Sequence, residues 1–208
     1  TIVGANFAGL SAAQQLGREY VVALLDRSAT VELLPGIHEL LSGVKRPADL
    51  RLPRSRLVKR AGHRFVRAEV TQVDAHGGAV VTATGRRMPF DACIVAVGGV
   101  NETFGVAGAD RHALAFTDVD TCAEIGSRLA ALDRGGKPAS VVIVGGGFEG
   151  VEALGEILRR YGNRRSLSIS LVEAGARLMP GSSPTLDRAV RKHCASHAVR
   201  FLTRTRVT

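Results

Sequence analysis

The chain has 208 residues, of which 45% are hydrophobic and 23% charged, and its formal net charge is +9. That length is sufficient for one large domain or two small ones, and the apolar content is sufficient for a buried core. No apolar run has the length of a membrane span, and the first residues lack the charged and then apolar pattern of a secretion signal. We therefore expect a cytoplasmic protein.

Apolar runs separated by glycine and proline indicate strands and short helices in the first half of the chain. The expected elements are a strand end at 2–3, a helix at 9–16 and strands at 21–25, 65–66, 70–74, 79–82 and 91–97. Gly77-Gly78 is typical of a hairpin turn between the strands at 70–74 and 79–82. Residues 31–61 are expected to form loop and short helix, because prolines interrupt them.

The second half of the chain repeats this alternation of strand and helix. The expected elements are a helix from 118 to about 132, strands at 141–144, 167–172 and 199–203, a helix at 148–161 and a helix after Pro184. Thr117 is the expected N-cap of the first of these helices. The repetition predicts two α/β domains of the same design, at 1–110 and 111–208. Because Thr1 lies inside a strand and the chain stops just after one, we expect a fragment of a longer protein.

Two glycine-rich turns are the most informative feature of the sequence. The first covers residues 2–9 and is followed, after the next apolar run, by Asp26. The second covers residues 141–150 and is followed in the same way by Glu173. One such turn is a weak signal, whereas two copies with the same downstream acid predict two dinucleotide sites in one chain. The alternative at each turn is an ordinary strand, turn and helix with no ligand.

The spacing of the glycines has a chemical reason in dinucleotide binding. Gly4 and Gly145 allow a sharp turn out of the strand, and Gly9 and Gly150 let the helix pack close to the sheet. The middle position lets the backbone approach a pyrophosphate, which then lies at the positive end of the helix. The spacing therefore predicts that each turn holds a pyrophosphate.

The middle positions and the acids complete the two predicted sites. Gly147 is the middle residue of the second turn, and Asn6 takes its place in the first. Asparagine carries a Cβ but tolerates positive φ better than most residues, and its amide could donate to a phosphate. Asp26 and Glu173 end the following strands, where a carboxylate can accept hydrogen bonds from ribose hydroxyls.

The three cysteines are scattered along the chain and form no CxxC motif. Neither a redox dithiol nor a metal site is therefore expected. Each cysteine is expected to be a small buried apolar residue.

Basic residues are concentrated in the segment 45–67. They are Lys45, Arg46, Arg51, Arg54, Arg56, Lys59, Arg60, Arg64 and Arg67, with only Asp49 opposing them. This basic segment could make peripheral contact with anionic lipid headgroups at the inner face of the cell membrane, or it could be a solvated surface. Nucleic acid is not an expected partner, because Phe65 is the one aromatic residue of the segment.

The chain resembles the two-dinucleotide-binding-domain flavoproteins of the pyridine nucleotide-disulfide oxidoreductase superfamily. Within them it is most similar to type II NADH dehydrogenases (NADH:quinone oxidoreductases) and their AIF-like relatives. The segments that carry the resemblance are 2–10, 33–43, 104–108, 144–152 and 171–180. The resemblance implies an α/β fold with two Rossmann-like βαβ dinucleotide-binding domains of the three-layer ββα type, here truncated at both ends.

The resemblance also implies the cofactors and the residues that hold them. The domain at 1–110 would bind FAD through Gly4, Asn6, Gly9, Asp26, Arg27, Pro35, Val70, Ala96 and Gly98. The domain at 111–208 would bind NAD(P)H through Gly145, Gly147, Gly150 and Glu173. Arg27 would either stack on the adenine or be solvated. The carboxylate of Glu173 favours NADH, because it repels a 2′-phosphate, although Arg177 is near enough in sequence to weaken that preference.

The expected function is an FAD-dependent oxidoreductase that passes hydride from NADH to the flavin and then electrons to a quinone-like acceptor. Glu152 matches a family glutamate that could aid proton delivery, although a carboxylate near a helix start is also favoured by the helix dipole. Two alternatives stay open: another acceptor such as ferredoxin, oxygen or peroxide, and a non-catalytic AIF-like nucleotide-binding module. The family's later FAD-binding and C-terminal dimer or membrane regions lie outside these residues, and a homodimer is compatible with the full-length protein.

Overall fold

The computed structural model describes residues 1–164 and 167–208, and in them the chain forms twelve β-strands and seven α-helices. The elements of the first half are β1 (Ile2–Val3), α1 (Phe7–Gln15), β2 (Ala23–Asp26), β3 (Thr30–Glu32), α2 (Glu39–Ser42), β4 (Arg51–Pro53), α3 (Arg54–Arg60), β5 (Arg64–Arg67), β6 (Val70–Asp74), β7 (Ala79–Thr82), β8 (Arg87–Pro89) and β9 (Ile94–Val95). The elements of the second half are α4 (Ala109–His112), α5 (Val119–Gly135), β10 (Ala139–Val144), α6 (Phe148–Tyr161), β11 (Leu167–Val172), α7 (Pro184–His193) and β12 (Val199–Leu202).

The chain divides into two compact units. The first consists of Thr1–Leu33 and Arg51–Val100, and the second consists of Leu34–Leu50 and Asn101–Thr208. This division differs from the predicted boundary between residues 110 and 111. It lies earlier in the chain, and it assigns Leu34–Leu50 to the second unit, whereas the sequence placed these residues in the first domain.

Apolar packing explains why Leu34–Leu50 belongs to the second unit. Leu41 and Leu50 are buried in the same core as Leu154 of α6. Burying one leucine contributes about 1.5–3 kcal/mol, so these two leucines hold the segment in the second unit. The helix α2 also packs very closely on α5, because a Cβ on Gly126 would overlap the carbonyl oxygen of Leu40.

The described residues of the first unit form a four-stranded parallel sheet in the order β5-β2-β1-β9. Ile2 of β1 pairs with Leu24 of β2 on one side and with Ile94 of β9 on the other. Ile2 and Leu24 are fully buried, as continuous apolar runs in parallel strands predict. β9 is shorter than the predicted strand at 91–97, because its partner β1 offers only two residues for pairing.

Two small antiparallel sheets complete the first unit. β6, β7 and β8 form one of them, and the predicted hairpin turn at Gly77-Gly78 is confirmed. β3 and β4 form the other, inside a segment that was predicted to be loop and short helix. That prediction is wrong for these strands, because Pro53 is the last residue of the edge strand β4, where a missing N–H disturbs little. Arg51 and Glu32 join the two strands by an ion pair of 2.9 Å.

In the described residues of the second unit, three parallel strands form a sheet in the order β10-β11-β12. Val141 of β10 lies opposite Ile169 of β11, and Leu171 of β11 lies opposite Phe201 of β12. The helix α6 buries its apolar residues at helical spacing in the core on this sheet. The βαβ unit that the sequence predicts for residues 141–172 is therefore confirmed.

The helix α5 begins with a cap that differs from the prediction. The Oδ1 of Asp118 accepts the amide of Thr121 at 2.9 Å, so Asp118 is the N-cap. The hydroxyl of Thr117 instead donates to the carboxylate of Asp118 at 2.9 Å. Thr117 was the wrong choice because both residue types cap helices, and only the backbone position decides between neighbours.

The third glycine of each turn brings its helix onto the preceding strand. A Cβ on Gly9 would overlap the carbonyl oxygen of Gly4, and a Cβ on Gly150 would overlap that of Gly145. These two glycines are therefore required by the packing of the protein itself, as the spacing predicts.

We expect Gly150→Ala to lower the free energy of unfolding by about 3 kcal/mol, because the new methyl group meets backbone that cannot move freely. Gly155 on the same helix is the matched control, since a Cβ there has no atom within 4 Å. Gly155→Ala should raise stability by about 0.5–1 kcal/mol through helix propensity. Urea unfolding measures both changes. Equal effects of the two substitutions would contradict this account of Gly150.

Candidate nucleotide sites

The first glycine-rich turn joins β1 to α1. Gly4 has a φ of +94°, a conformation that glycine adopts without strain. Its amide donates to the carbonyl oxygen of Leu25 at 2.8 Å, and the next amide, of Ala5, donates to the Oδ2 of Asp26 at 2.9 Å. The Oδ1 of Asp26 accepts the amide of Ser28 at 2.9 Å. The predicted acid is thus hydrogen-bonded directly to the predicted turn.

The second turn, between β10 and α6, repeats this arrangement bond for bond. Gly145 has a φ of +102°, and its amide donates to the carbonyl oxygen of Val172 at 2.9 Å. The amide of Gly146 donates to the Oε2 of Glu173 at 2.8 Å, and the amide of Gly175 donates to its Oε1 at 2.5 Å. The duplication predicted from the sequence extends to individual hydrogen bonds.

The middle position of each turn is the residue just before the helix. Asn6 has a φ of −105° and Gly147 a φ of −70°, so tolerance of positive φ is not the reason why Asn6 fits. The carbonyl oxygen of Asn6 accepts the amide of Leu10 at 2.8 Å, whereas its side chain makes no capping bond. The Oδ1 of Asn6 is buried and has no partner among the described residues.

Gly147 tests whether a nucleotide fits the second turn. A Cβ at this position would have no atom within 4 Å, so the packing of the protein does not require glycine here. A pyrophosphate at the start of α6 favours glycine here, since a Cβ would narrow the approach of the phosphates to the free N–H groups. The open space at Gly147 and the unpartnered Oδ1 of Asn6 at the matching position are both compatible with a dinucleotide at these turns.

Arg54, the first residue of α3, contacts the first turn, and the sequence interpretation missed this role. It is only 4% exposed, and its Nη1 lies 2.6 Å from the Oδ1 of Asp26. Its Nε donates to the carbonyl oxygen of Ala5 at 2.7 Å, and its Nη1 donates to that of Ser28 at 2.5 Å. Burial lowers the pKa of the Arg54 guanidinium, and the charge of Asp26 opposes that shift. The sequence held no signal for this role, because Arg54 stands within a long series of basic residues.

Two further residues predicted for the first site follow β9. The amide of Ala96 donates to the carbonyl oxygen of Val3 at 2.7 Å, and Ala96 lies so close to Gly4 that a Cβ on that glycine would overlap it. Gly98 has a φ of +77°, and a Cβ on it would have no atom within 4 Å. Ala96 therefore packs directly against the turn, and Gly98 presents open backbone after it.

The other residues predicted for the first site lie further along the chain. Arg27 is exposed directly after Asp26, and its carbonyl oxygen accepts a hydrogen bond from the Nε of Arg67 at 3.2 Å. Val70 is partly buried at the start of β6. Pro35 is exposed and belongs to the second unit, not to the unit that contains the first turn.

Glu152 and Glu156 lie four residues apart on α6 but have different surroundings. Glu152 is exposed. Glu156 accepts hydrogen bonds from the hydroxyl of Ser42 and from Arg159, both at 2.5 Å. Glu156 therefore fastens α2 to α6, and Glu152 is the carboxylate of this pair that faces solvent.

The basic segment 45–67 does not form one exposed face. Lys45 pairs with Glu39 at 2.7 Å and Arg46 pairs with Asp49 at 3.3 Å, all in the second unit. Arg54 is buried, so the prediction that counted it as a surface charge is wrong. The exposed cations of the segment in the first unit are Arg56, Lys59, Arg60, Arg64 and Arg67.

Residues 1–164 and 167–208 contain neither a cluster of metal ligands nor a membrane-spanning helix. No three His, Cys, Asp or Glu side chains in these ranges come together as metal ligands. No helix in the described part of the chain is both long and apolar enough to cross a bilayer. Cys122 and Cys194 are buried, as predicted, whereas Cys93 is only partly buried, and burial raises the pKa of the Cys194 thiol.

The geometry of the two turns agrees with the sequence family that the chain matches. Residues 1–208 match the family described as pyridine nucleotide-disulphide oxidoreductase. The chain belongs to this family. A type II NADH:quinone oxidoreductase of Staphylococcus aureus is 29% identical to it over 222 aligned positions, which cover 97% of the chain and 53% of that protein. The chain thus spans about half the length of the curated relatives it matches.

Solved structures confirm the fold expected of this oxidoreductase family. NDH2 from Plasmodium falciparum in complex with NADH gives a TM-score of 0.86 at 20% identity, covering 97% of the chain and 47% of that protein. The sulfide:quinone oxidoreductase of Aquifex aeolicus gives 0.84 at 17% identity, covering 98% and 50%. The predicted α/β architecture with Rossmann-like parallel sheets is therefore confirmed.

We expect Gly147→Val to abolish or strongly weaken NADH binding while leaving the fold intact. The branched side chain would occupy the space at the start of α6, and a loss of about 100-fold in affinity corresponds to about 2.8 kcal/mol. NADH fluorescence titration measures the affinity, and thermal unfolding provides the control for folding. Affinity within about twofold of the unsubstituted chain, at unchanged thermal stability, would contradict the assignment of the second turn.

Proposed function

We propose that the chain is the nucleotide-binding part of an FAD-dependent oxidoreductase that takes hydride from NADH and passes electrons to a quinone-like acceptor. The observation that carries this proposal is the duplicated turn, in which an acid at the end of a strand is bonded to the amide after the first glycine. An enzyme that moves electrons from a nicotinamide to a flavin has to bind both dinucleotides, and two sites in one chain meet that need. The acceptor is inferred from the name of the S. aureus relative.

The first unit is the proposed FAD domain, and the second unit is the proposed NADH domain. The free N–H groups at the start of α1 would bind the FAD pyrophosphate, with help from the helix dipole. Asp26 would accept the adenosine ribose hydroxyls, and Gly98, Arg27 and Val70 would line the remainder of the site. The role of Pro35 beside the flavin stays an expectation from the resemblance.

NADH, rather than NADPH, is the proposed electron donor. Glu173 lies at the end of β11, where a carboxylate accepts ribose hydroxyls and repels a 2′-phosphate. Arg177 could offset that repulsion only by giving up its own hydrogen bonds. Its guanidinium donates to the carbonyl oxygens of Ser182 and Pro180 at 2.6 and 2.7 Å. The contacts of Arg177 with its own loop therefore support the preference for NADH.

The residues of the chain position the cofactors and handle protons. FAD, when bound, supplies the two-electron chemistry itself. The turns orient the two nucleotides, since their amides and carboxylates are held in place before a ligand arrives. Glu152 is the proposed proton carrier, because its carboxylate is exposed on α6 and is not tied to another helix as Glu156 is.

A visible absorption spectrum of the purified protein tests the proposal. We expect flavin bands that NADH bleaches under anaerobic conditions and that return when a quinone is added. A colourless protein that still binds NADH would favour the alternative of a non-catalytic nucleotide-binding module. Bleached bands that return with oxygen or ferredoxin but not with quinone would favour another acceptor.

We expect Glu152→Gln to reduce turnover by about tenfold or more at unchanged NADH affinity, because proton transfer by a placed side chain contributes at least that much. Glu149→Gln is the matched control, since Glu149 is an exposed carboxylate in the first turn of the same helix. Steady-state kinetics over a range of pH measures both variants. If Glu152 acts only on the helix dipole, both substitutions will change stability slightly and neither will change turnover.

Contact with an anionic membrane surface is a further part of the proposal. The five exposed cations of the basic segment in the first unit support it, because each Lys or Arg near such a surface contributes about 1 kcal/mol. The burial of Arg54 and the ion pairs of Lys45 and Arg46 reduce the number of charges available. The homodimer of a full-length protein is likewise an expectation from the resemblance.

A further inference from the structure

A different group donates a hydrogen bond to the backbone carbonyl of each turn. In the first unit, the carbonyl oxygen of Ala5 accepts the Nε of Arg54 at 2.7 Å. In the second unit, the matching carbonyl oxygen of Gly146 accepts the backbone amide of Met179, also at 2.7 Å. In the first unit a buried side chain thus takes the place that a backbone amide has in the second.

The two acids differ in the same way. Asp26 and Glu173 each accept two backbone amides at corresponding positions. Arg54 adds a third partner to Asp26 through its Nη1, at 2.6 Å. Among the described residues, no Lys or Arg forms an ion pair with Glu173. The first site therefore has a buried cation behind its acid, and the second site has none within the described part of the chain.

We propose that Arg54 is a positioning residue of the first nucleotide site. It contacts Asp26, the carbonyl oxygen of Ala5 and the carbonyl oxygen of Ser28 at the same time. It therefore joins the acid to the first turn and to the residues that follow the acid. The inference rests on the proposed function, in which this site holds FAD. Arg54 acts through Asp26 and the turn and does not itself touch the nucleotide.

Two physical effects follow from this arrangement. A site whose hydrogen-bonding groups are already ordered loses less conformational freedom when it binds, so its affinity is higher. The charge of Arg54 also offsets that of Asp26, which would otherwise repel the pyrophosphate at the start of α1, and burial keeps water from screening the pair. Both effects make the first site the tighter one, as a retained cofactor requires, whereas the second site is suited to a nucleotide that exchanges.

Hydrogen exchange provides a test that does not depend on bound FAD. The amides of Ala5 and Ser28 both donate to Asp26, and the amides of Gly146 and Gly175 donate to Glu173. We expect Arg54→Met to increase exchange at Ala5 and Ser28 by about tenfold and to leave Gly146 and Gly175 unchanged. Equal change at all four amides would indicate a general loss of stability and would overturn the proposal, as would no change at any of them.

Flavin and nicotinamide fluorescence titrations test the consequence for binding. We expect Arg54→Met to weaken FAD binding by about 30-fold and to leave NADH binding within about twofold. Arg54→Lys keeps the charge but not the three contacts and should lie between these values. Arg56→Met is the matched control, since Arg56 is exposed on the same helix, and it should bind FAD normally.

A double-substitution cycle separates action through Asp26 from a general structural role. We expect the loss of FAD affinity in Asp26→Asn with Arg54→Met to be clearly smaller than the sum of the two single losses, because the part of the Arg54 effect that acts through Asp26 is already absent. Removing both charges also avoids leaving one of them buried without a partner. Additive losses would overturn the proposal. If the unsubstituted chain binds no FAD, the proposed function of the first unit fails, and the exchange experiment alone decides whether Arg54 positions Asp26.

Discussion

The hydrogen bond from the turn amide to the acid that ends the second strand is the interaction on which both candidate sites depend. In the first unit it joins Ala5 to Asp26, and in the second it joins Gly146 to Glu173. The bond closes a loop between two parallel strands at their carboxyl ends, where the helix N-terminus also begins. It therefore brings a carboxylate and the amides of a helix N-terminus into one small region, as the proposed nucleotide binding requires.

The same bond explains why the two units can be alike in geometry and different in their supporting groups. The amides around Asp26 and Glu173 correspond one to one, since they belong to the backbone of a shared βαβ design. The groups behind the turns do not correspond, because Arg54 supports one and the amide of Met179 supports the other. The backbone geometry is thus duplicated, whereas the supporting groups differ. In the proposed function these groups give each site its own affinity.

The glycines of the turns fall into two physical classes. Gly9 and Gly150 are fixed by contact between helix and strand, and a nucleotide is not needed to explain them. Gly147 has open space where its Cβ would be, so packing does not explain the glycine there, whereas the approach of a pyrophosphate would. Asn6 shows that the matching position of the first turn accepts a side chain, and its buried Oδ1 without a partner among the described residues marks that position as polar.

The sequence by itself determined the two glycine turns, their acids, the parallel strands and the family, because these depend on local backbone geometry and on apolar runs that are visible in order along the chain. It did not determine that Leu34–Leu50 packs with the second unit or that β3 and β4 pair, since both depend on contacts between distant segments. Only the tertiary structure decided that Arg54 is a buried partner of Asp26 while Arg56 is exposed. Two arginines in one basic run are chemically identical in the sequence, and the surroundings that distinguish them exist only after the chain has folded.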